Sequence, residues 1–173
     1  MRRDRFWSRR IIFAYLFENH NLKYMKKVLL FSLALFAYSA LSAQDLNPVK
    51  WTYEAKKVAD GEFDLVFTAH IEDGWYVYSQ FLESDEGPIP TSLVFTDNPK
   101  VKLVDKAKEA GPKHEGFDDI FEMNVVKYSG QPTFTQRVKV SGHAHLEGYL
   151  EFMTCDKNRC LPPSEVAFKF HFD

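Results

Sequence analysis

Beyond residue 46, apolar side chains recur at almost every second position, and this period constrains the fold more than any other feature of the chain. A strand sends successive side chains to opposite faces, so alternate residues can reach one core. "EFDLVFTAHI" sets Phe63, Leu65, Phe67, Ala69 and Ile71 against Glu62, Asp64, Val66, Thr68 and His70. "NPVKWTYEAKKV", "WYVYSQF", "SLVFT", "VKLVD", "TFTQRVKV", "AHLEGYLEFMT" and "EVAFKFHF" continue the rhythm, separated by turn signals such as "DNP", "SG" and "SGH". Asp73-Gly74 reads as a hairpin turn between the strands on either side of it. No segment carries a helical stripe of useful length. About eight short strands at this spacing predict an all-β, immunoglobulin-like β-sandwich in a single domain.

Two segments break the rhythm. "LESDEGPIP" reads as a solvated loop whose acids are Glu83, Asp85 and Glu86. "KEAGPKHEGFDDIFEMNVVKYSGQP" mixes glycine, proline and acids with Phe117, Ile120, Phe121 and Met123. It reads as a long loop, and loops of that length in compact domains are usually functional or disordered; its aromatic content argues for function.

The N-terminal region has a different character. Residues 25–43, "MKKVLLFSLALFAYSALSA", have the basic start, apolar middle and small-residue end of a secretory signal peptide. The apolar run falls short of the roughly 20 residues that span a bilayer. Cleavage after Ala43 is expected, with residues 1–24 an extension ahead of the true start at Met25 and residues 44–173 the mature, periplasmic domain. No membrane anchor is then expected to remain. Of 22 lysines and arginines and 24 acids, the first 43 residues hold 8 and 2, which leaves 14 against 22 and a net charge of −8. Nucleic acid is excluded as a partner on that charge, because phosphate contacts need clustered Lys and Arg.

The two cysteines, Cys155 and Cys160, stand five positions apart in "TCDKNRCLPPSEV". In an oxidising compartment, a four-residue turn from Asp156 to Arg159 would let them bond across a hairpin. One reading is a structural staple, yet closing a ring of about six residues contributes only roughly 2 kcal/mol. The other is thiol–disulfide exchange, which needs two nearby thiols at an accessible edge. Lys157 and Arg159 would favour a thiolate there and Asp156 would oppose it. Parity adds a constraint. Leu146, Leu150 and Phe152 before the pair, and Val166, Phe168, Phe170 and Phe172 after it, should all face the core. A direct Cys155–Cys160 pairing then requires a one-residue offset, and Pro162-Pro163 is the expected place for it, since proline cannot donate to a ladder.

"IEDGWYVYSQF", "FDDIF" and "TCDKNRCLPPSEV", in that order, resemble the amino-terminal periplasmic domain of the DsbD-type thiol:disulfide interchange proteins across roughly residues 46–173. The resemblance implies an immunoglobulin-like fold with a cap loop over a cysteine-bearing hairpin. It makes Cys155 and Cys160 the cycling redox pair, with Cys160 forming the mixed disulfide with partners. Asp119 and Phe121 match the cap's Asp-x-Phe, whose aromatic ring shields the disulfide, and Tyr76 and Tyr78 match tyrosines near the pair. It further implies a protein-disulfide reductase or relay that needs no cofactor. A thioredoxin-like donor, from a membrane reductase, and periplasmic disulfide isomerases or other disulfide proteins as acceptors are the implied partners. The competing class is a non-catalytic immunoglobulin-like binding or scaffold domain with a static disulfide.

His143 and His145 share a strand face, and His171 lies near them if the offset above holds. Three histidines can hold a metal. Solvent-facing histidines are the commoner arrangement, and no metal is expected.

Overall fold

The computed structural model describes residues 46–82 and 86–173, together with Tyr24 and Lys27, which are helical. The expected signal peptide and extension, and the loop acids Glu83 and Asp85, otherwise lie outside the described residues. Met1–Leu46 and Asn47–Asp173 are separate compact units, and the second holds all the described strands. Among the described residues no helix is long and apolar enough to cross a membrane.

The strands are β1 (Val49–Ala59), β2 (Glu62–Ile71), β3 (Tyr76–Tyr78), β4 (Ser92–Phe95), β5 (Val101–Ala110), β6 (Lys113–Asp118), β7 (Met123–Tyr128), β8 (Thr133–Val140), β9 (Ala144–Phe152), β10 (Thr154–Cys155) and β11 (Ser164–Phe172). They form three antiparallel sheets, ordered β1-β2-β8-β5, β10-β3-β7-β6 and β11-β9-β4. The result is an immunoglobulin-like β-sandwich.

Alternation builds the core as the sequence leads one to expect. Leu65, Phe67, Ala69 and Ile71 of β2 are buried, and so are Leu146, Leu150 and Phe152 of β9 and Phe168, Phe170 and Phe172 of β11. Rings from opposite sheets meet edge-on or tilted, with Phe67–Phe168 centroids at 4.8 Å, Phe63–Phe172 at 4.9 Å and Trp51–Phe152 at 5.5 Å. These aromatic pairs add to the burial of large apolar surfaces that holds the layers together. Gly148 belongs to the same logic. Its strand passes so close to β4 and to its partner Phe168 that a Cβ there would fall on the Val94 carbonyl oxygen and within 2.7 Å of the Phe168 ring.

Two expectations are corrected. Asp73-Gly74 is a tight turn, with Gly74 at φ +85° and the Trp75 amide donating to the Glu72 carbonyl at 3.1 Å, but it does not make a hairpin. β2 pairs with β1 and β8, whereas β3 pairs with β7 and β10, so the turn carries the chain from one sheet to another. The segment read as a long loop is instead the end of β5 and a complete hairpin, β6–β7, with Asp118 paired to Met123 across a four-residue tip. Lys113, His114, Glu115 and Phe117 are all exposed along this edge strand, which hid the alternation. Most of β6 is exposed.

The offset at the cysteines is present. Along β9–β11 even positions pair with even ones, from Phe172↔Ala144 to Ser164↔Phe152. Cys155↔Cys160 is shifted by one. The extra residue lies on the Leu161–Pro163 side, which is outside any strand.

Candidate active site: a disulfide beneath a hairpin tip

The sheet β10-β3-β7-β6 has two unlike faces. Val77 and Tyr128 look into the main core. The opposite face holds a second cluster of buried Tyr78, Val125 and Cys155, with Tyr76, Phe121, Met123, Met153 and Cys160 packed around it. Register explains the grouping. Cys155 is the cross-strand partner of Tyr76, Tyr78 that of Lys127, Gly116 that of Val125, and Asp118 that of Met123. Cross-strand partners project to the same face, and so do residues two apart on one strand.

Cys155 and Cys160 are joined by a disulfide with their Cα atoms 4.0 Å apart. Cys155 is fully buried, whereas Cys160 is partly exposed. The turn between them is closed by its own backbone, with the Asp156 amide donating to the Arg159 carbonyl and the Leu161 amide to the Thr154 carbonyl, each at 2.9 Å. Asp156 Oδ1 accepts the Asn158 amide at 2.7 Å and the Arg159 amide at 2.9 Å. The Asn158 amide is the chief cause holding the Asp156 carboxyl below its ordinary range. Arg159 Nε lies 3.5 Å from Asp156 Oδ2 and its guanidinium lies over the Trp75 ring at 5.7 Å.

Both tyrosines lie at the pair. The Tyr76 hydroxyl donates to the Asp156 carbonyl at 2.9 Å, and its ring meets Tyr78 edge-on at 5.6 Å. Tyr78 is fully buried, and burial, with Tyr76 and Asp118 beside it, pushes its hydroxyl far above the ordinary value. It therefore remains a neutral donor, directed at Asp118 Oδ2 3.5 Å away. The Phe121 ring, half-buried at the hairpin tip, packs edge-on against Tyr78 at 5.8 Å and joins the apolar cluster that includes both cysteines.

Asp119, matched to the cap by its spacing from Phe121, is exposed. The buried acid is its neighbour Asp118. Asp118 accepts the Ile120 amide at 3.1 Å and the Lys127 ammonium at 3.0 Å. Burial works against its charge, but Lys127 and the Ile120 and Phe121 amides outweigh burial and hold the carboxyl below its ordinary value. Neither Asp118 nor Lys127 stands out in the sequence. The register of the β6–β7 hairpin, which pairs Asp118 with Met123 and leaves Lys127 two residues beyond Val125, puts both on the cysteine face. A third acid lies farther along: Glu109 accepts the Ser79 hydroxyl at 2.7 Å, the Gln80 amide at 2.6 Å and the Tyr128 hydroxyl at 3.0 Å, which anchors the chain as it leaves β3.

The histidines are elsewhere. His145 and His171 are cross-strand partners on β9 and β11, and His143 Nδ1 lies 3.8 Å from Asp173 Oδ1. Clusters of three or more metal-ligating side chains are absent among the described residues.

The model of the N-terminal region of the thiol:disulfide interchange protein DsbD matches residues 43–171, three-quarters of the chain and all of the site. This chain belongs to the DsbD N-terminal domain family. The N-terminal periplasmic domain of ScsB from Proteus mirabilis has a similar fold, with a TM-score of 0.55 and 17% identity. That match covers 74% of this chain and 48% of the ScsB structure, so the chain spans about half of it. The reduced Neisseria meningitidis DsbD N-terminal domain aligns with a TM-score of 0.48 and 19% identity, over 75% of this chain and 98% of that one. The DsbD N-terminal and PilB N-terminal domain complex from Neisseria meningitidis aligns at 0.46 and 20%, over 73% and 88%. No curated protein sequence matches the chain. Cys155, Cys160 and the β6–β7 hairpin all lie inside the region that the DsbD family model covers.

Proposed function

We propose that this domain is a periplasmic thiol:disulfide interchange module in which Cys155 and Cys160 cycle between disulfide and dithiol. The observation that carries the reading is the unequal exposure of the bonded pair: Cys160 is partly exposed and Cys155 is sealed beneath it. A donor thiolate attacks Cys160 Sγ, the Sγ–Sγ bond breaks, and Cys155 leaves as a thiolate. The donor's second thiolate then attacks its own mixed-disulfide sulfur, which frees Cys160 and completes a two-electron reduction. In the forward relay the Cys160 thiolate attacks an acceptor disulfide and Cys155 resolves the mixed disulfide, restoring the bridge. A thioredoxin-like protein suits the donor role and periplasmic disulfide isomerases the acceptor role. Phe121 acts as a shield, the two tyrosines form the wall of the site, and Asp119 lies at the shield's solvent side.

The local hydrogen bonds support exchange over a staple. The turn is already closed by backbone and Asp156 contacts, so a bridge adding about 2 kcal/mol is a weak structural device. Two measurements test the reading. The reduction potential should fall between about −180 and −280 mV, whereas a staple lies below about −300 mV. A Cys155→Ser variant should trap a thioredoxin-like partner through Cys160, and a Cys160→Ser variant should not. A potential in the staple range with no trapped species overturns the proposal. Sequencing the mature protein tests the secretory route, with Gln44 expected first.

A further inference from the structure

Lys127 takes no part in the exchange steps, yet two parts of the site meet at its ammonium. It leaves β7 between its cross-strand partners Tyr78 on β3 and His114 on β6. Its Nζ lies 3.0 Å from Asp118 Oδ2 and 3.9 Å from the centroid of the Tyr76 ring. The first contact leads to the hairpin tip, because Asp118 Oδ1 holds the Ile120 amide one residue before Phe121. The second leads to the cysteine turn, because the Tyr76 hydroxyl holds the Asp156 carbonyl. One cation thus bridges the hairpin tip and the cysteine turn.

The setting makes this contact matter. The Asp118 side chain is 2% exposed and that of Lys127 25%, against 57% and 61% for the surface pair Lys56–Glu54. Exposed pairs are weakened by water and salt, whereas a buried carboxylate that loses its cation is left charged in a poor solvent. Without the ammonium, Asp118 would keep the Ile120 and Phe121 amides and a long contact to Tyr78, and hydration would draw it outward. The tip carrying Phe121 would move with it.

We propose that Lys127 is a positioning residue that latches the Phe121-bearing hairpin tip to the cysteine turn, and thereby sets how readily an external thiol reaches the disulfide. Its biological meaning rests on the interchange reading above, but its physics does not, since a latch over a static bridge would also slow a small reductant.

The test is the rate at which dithiothreitol reduces the disulfide in the whole secreted chain, followed by alkylation of the freed thiols. Lys127→Met keeps the aliphatic stem and removes the charge, and should speed reduction about fivefold or more. Lys127→Arg, which can pair with Asp118 and lie on Tyr76, should stay within about twofold of the parent. In a Phe121→Ala background, Lys127→Met should have no further effect, an interaction that general destabilisation would not produce. Asp118→Asn supplies a second route to the same acceleration if Lys127→Met folds poorly. An unchanged rate in both variants, or an effect that persists without Phe121, overturns the latch. Reduction of the parent by a reduced thioredoxin-like protein is scored separately. Failure there, with the dithiothreitol pattern intact, removes the interchange reading and leaves the latch standing.

Discussion

The Tyr76 hydroxyl donates to the Asp156 carbonyl at 2.9 Å, joining residues 80 positions apart and tying β3 to the turn that carries the disulfide. Because Tyr76 is also the cross-strand partner of Cys155, one side chain sets both the floor and the rim of the site. Tyr76→Phe retains the ring that Lys127 and Tyr78 contact and removes only the hydroxyl. The expected cost is about 0.5–1.5 kcal/mol in chemical denaturation. Amide exchange should quicken at residues 156–159 and stay unchanged along β1 and β2. Uniform acceleration would show that the bond does not act locally.

Asp156 preorganises the cysteine turn by accepting two backbone amides. In Asp156→Ala the dithiol should sample more open turns, which lowers the effective concentration of one thiol at the other. The disulfide then becomes easier to reduce, and the potential rises by about 30 mV for each tenfold loss. Equilibration against glutathione buffers measures this. A potential at or below that of the parent would refute the role.

Asp118 gives a pH dependence with a defined sign. Its folded carboxyl lies below the unfolded value of 3.8, so the ionised form contributes stability above that value and loses it as pH falls through the folded one. Asp118→Asn should cost about 1.5–3 kcal/mol near neutrality, the range for hydrogen bonds to a charged group. The gap between parent and variant should be flat above about pH 5 and close under more acid conditions. Denaturant titrations at several pH values give the comparison, and a gap that widens in acid would contradict the assignment.

Gly148→Ala tests the packing of β9 against β4 and β11. The new methyl meets a backbone oxygen, which cannot rotate away, as well as the Phe168 ring. A loss of about 1–3 kcal/mol or more is expected from overpacking. The redox potential of the cysteine pair should not change, since Gly148 and Cys155 lie in different sheets. A neutral effect on thermal unfolding would mean the strands separate more easily than their contacts imply.

The sequence by itself determined the β class, the inward face of most strands and the misfit at the cysteines. Each of these follows from parity: a period of two says which side of a sheet a residue faces, and two inconsistent parities demand an extra residue between them. Leu65, Phe168 and the offset beside Pro162 could all be read this way.

Parity carries no information about which strand lies alongside. Asp73-Gly74 has hairpin chemistry, yet β2 pairs with β1 and β8 while β3 pairs with β7 and β10 in another sheet. The β6–β7 hairpin escaped notice because an exposed edge strand has little apolar alternation to show. The choice of Asp118 over Asp119, and the placement of Lys127 between carboxylate and ring, depended on the register across that hairpin. A charged side chain takes whichever partner the assembled strands bring within reach, so only the tertiary structure could decide it.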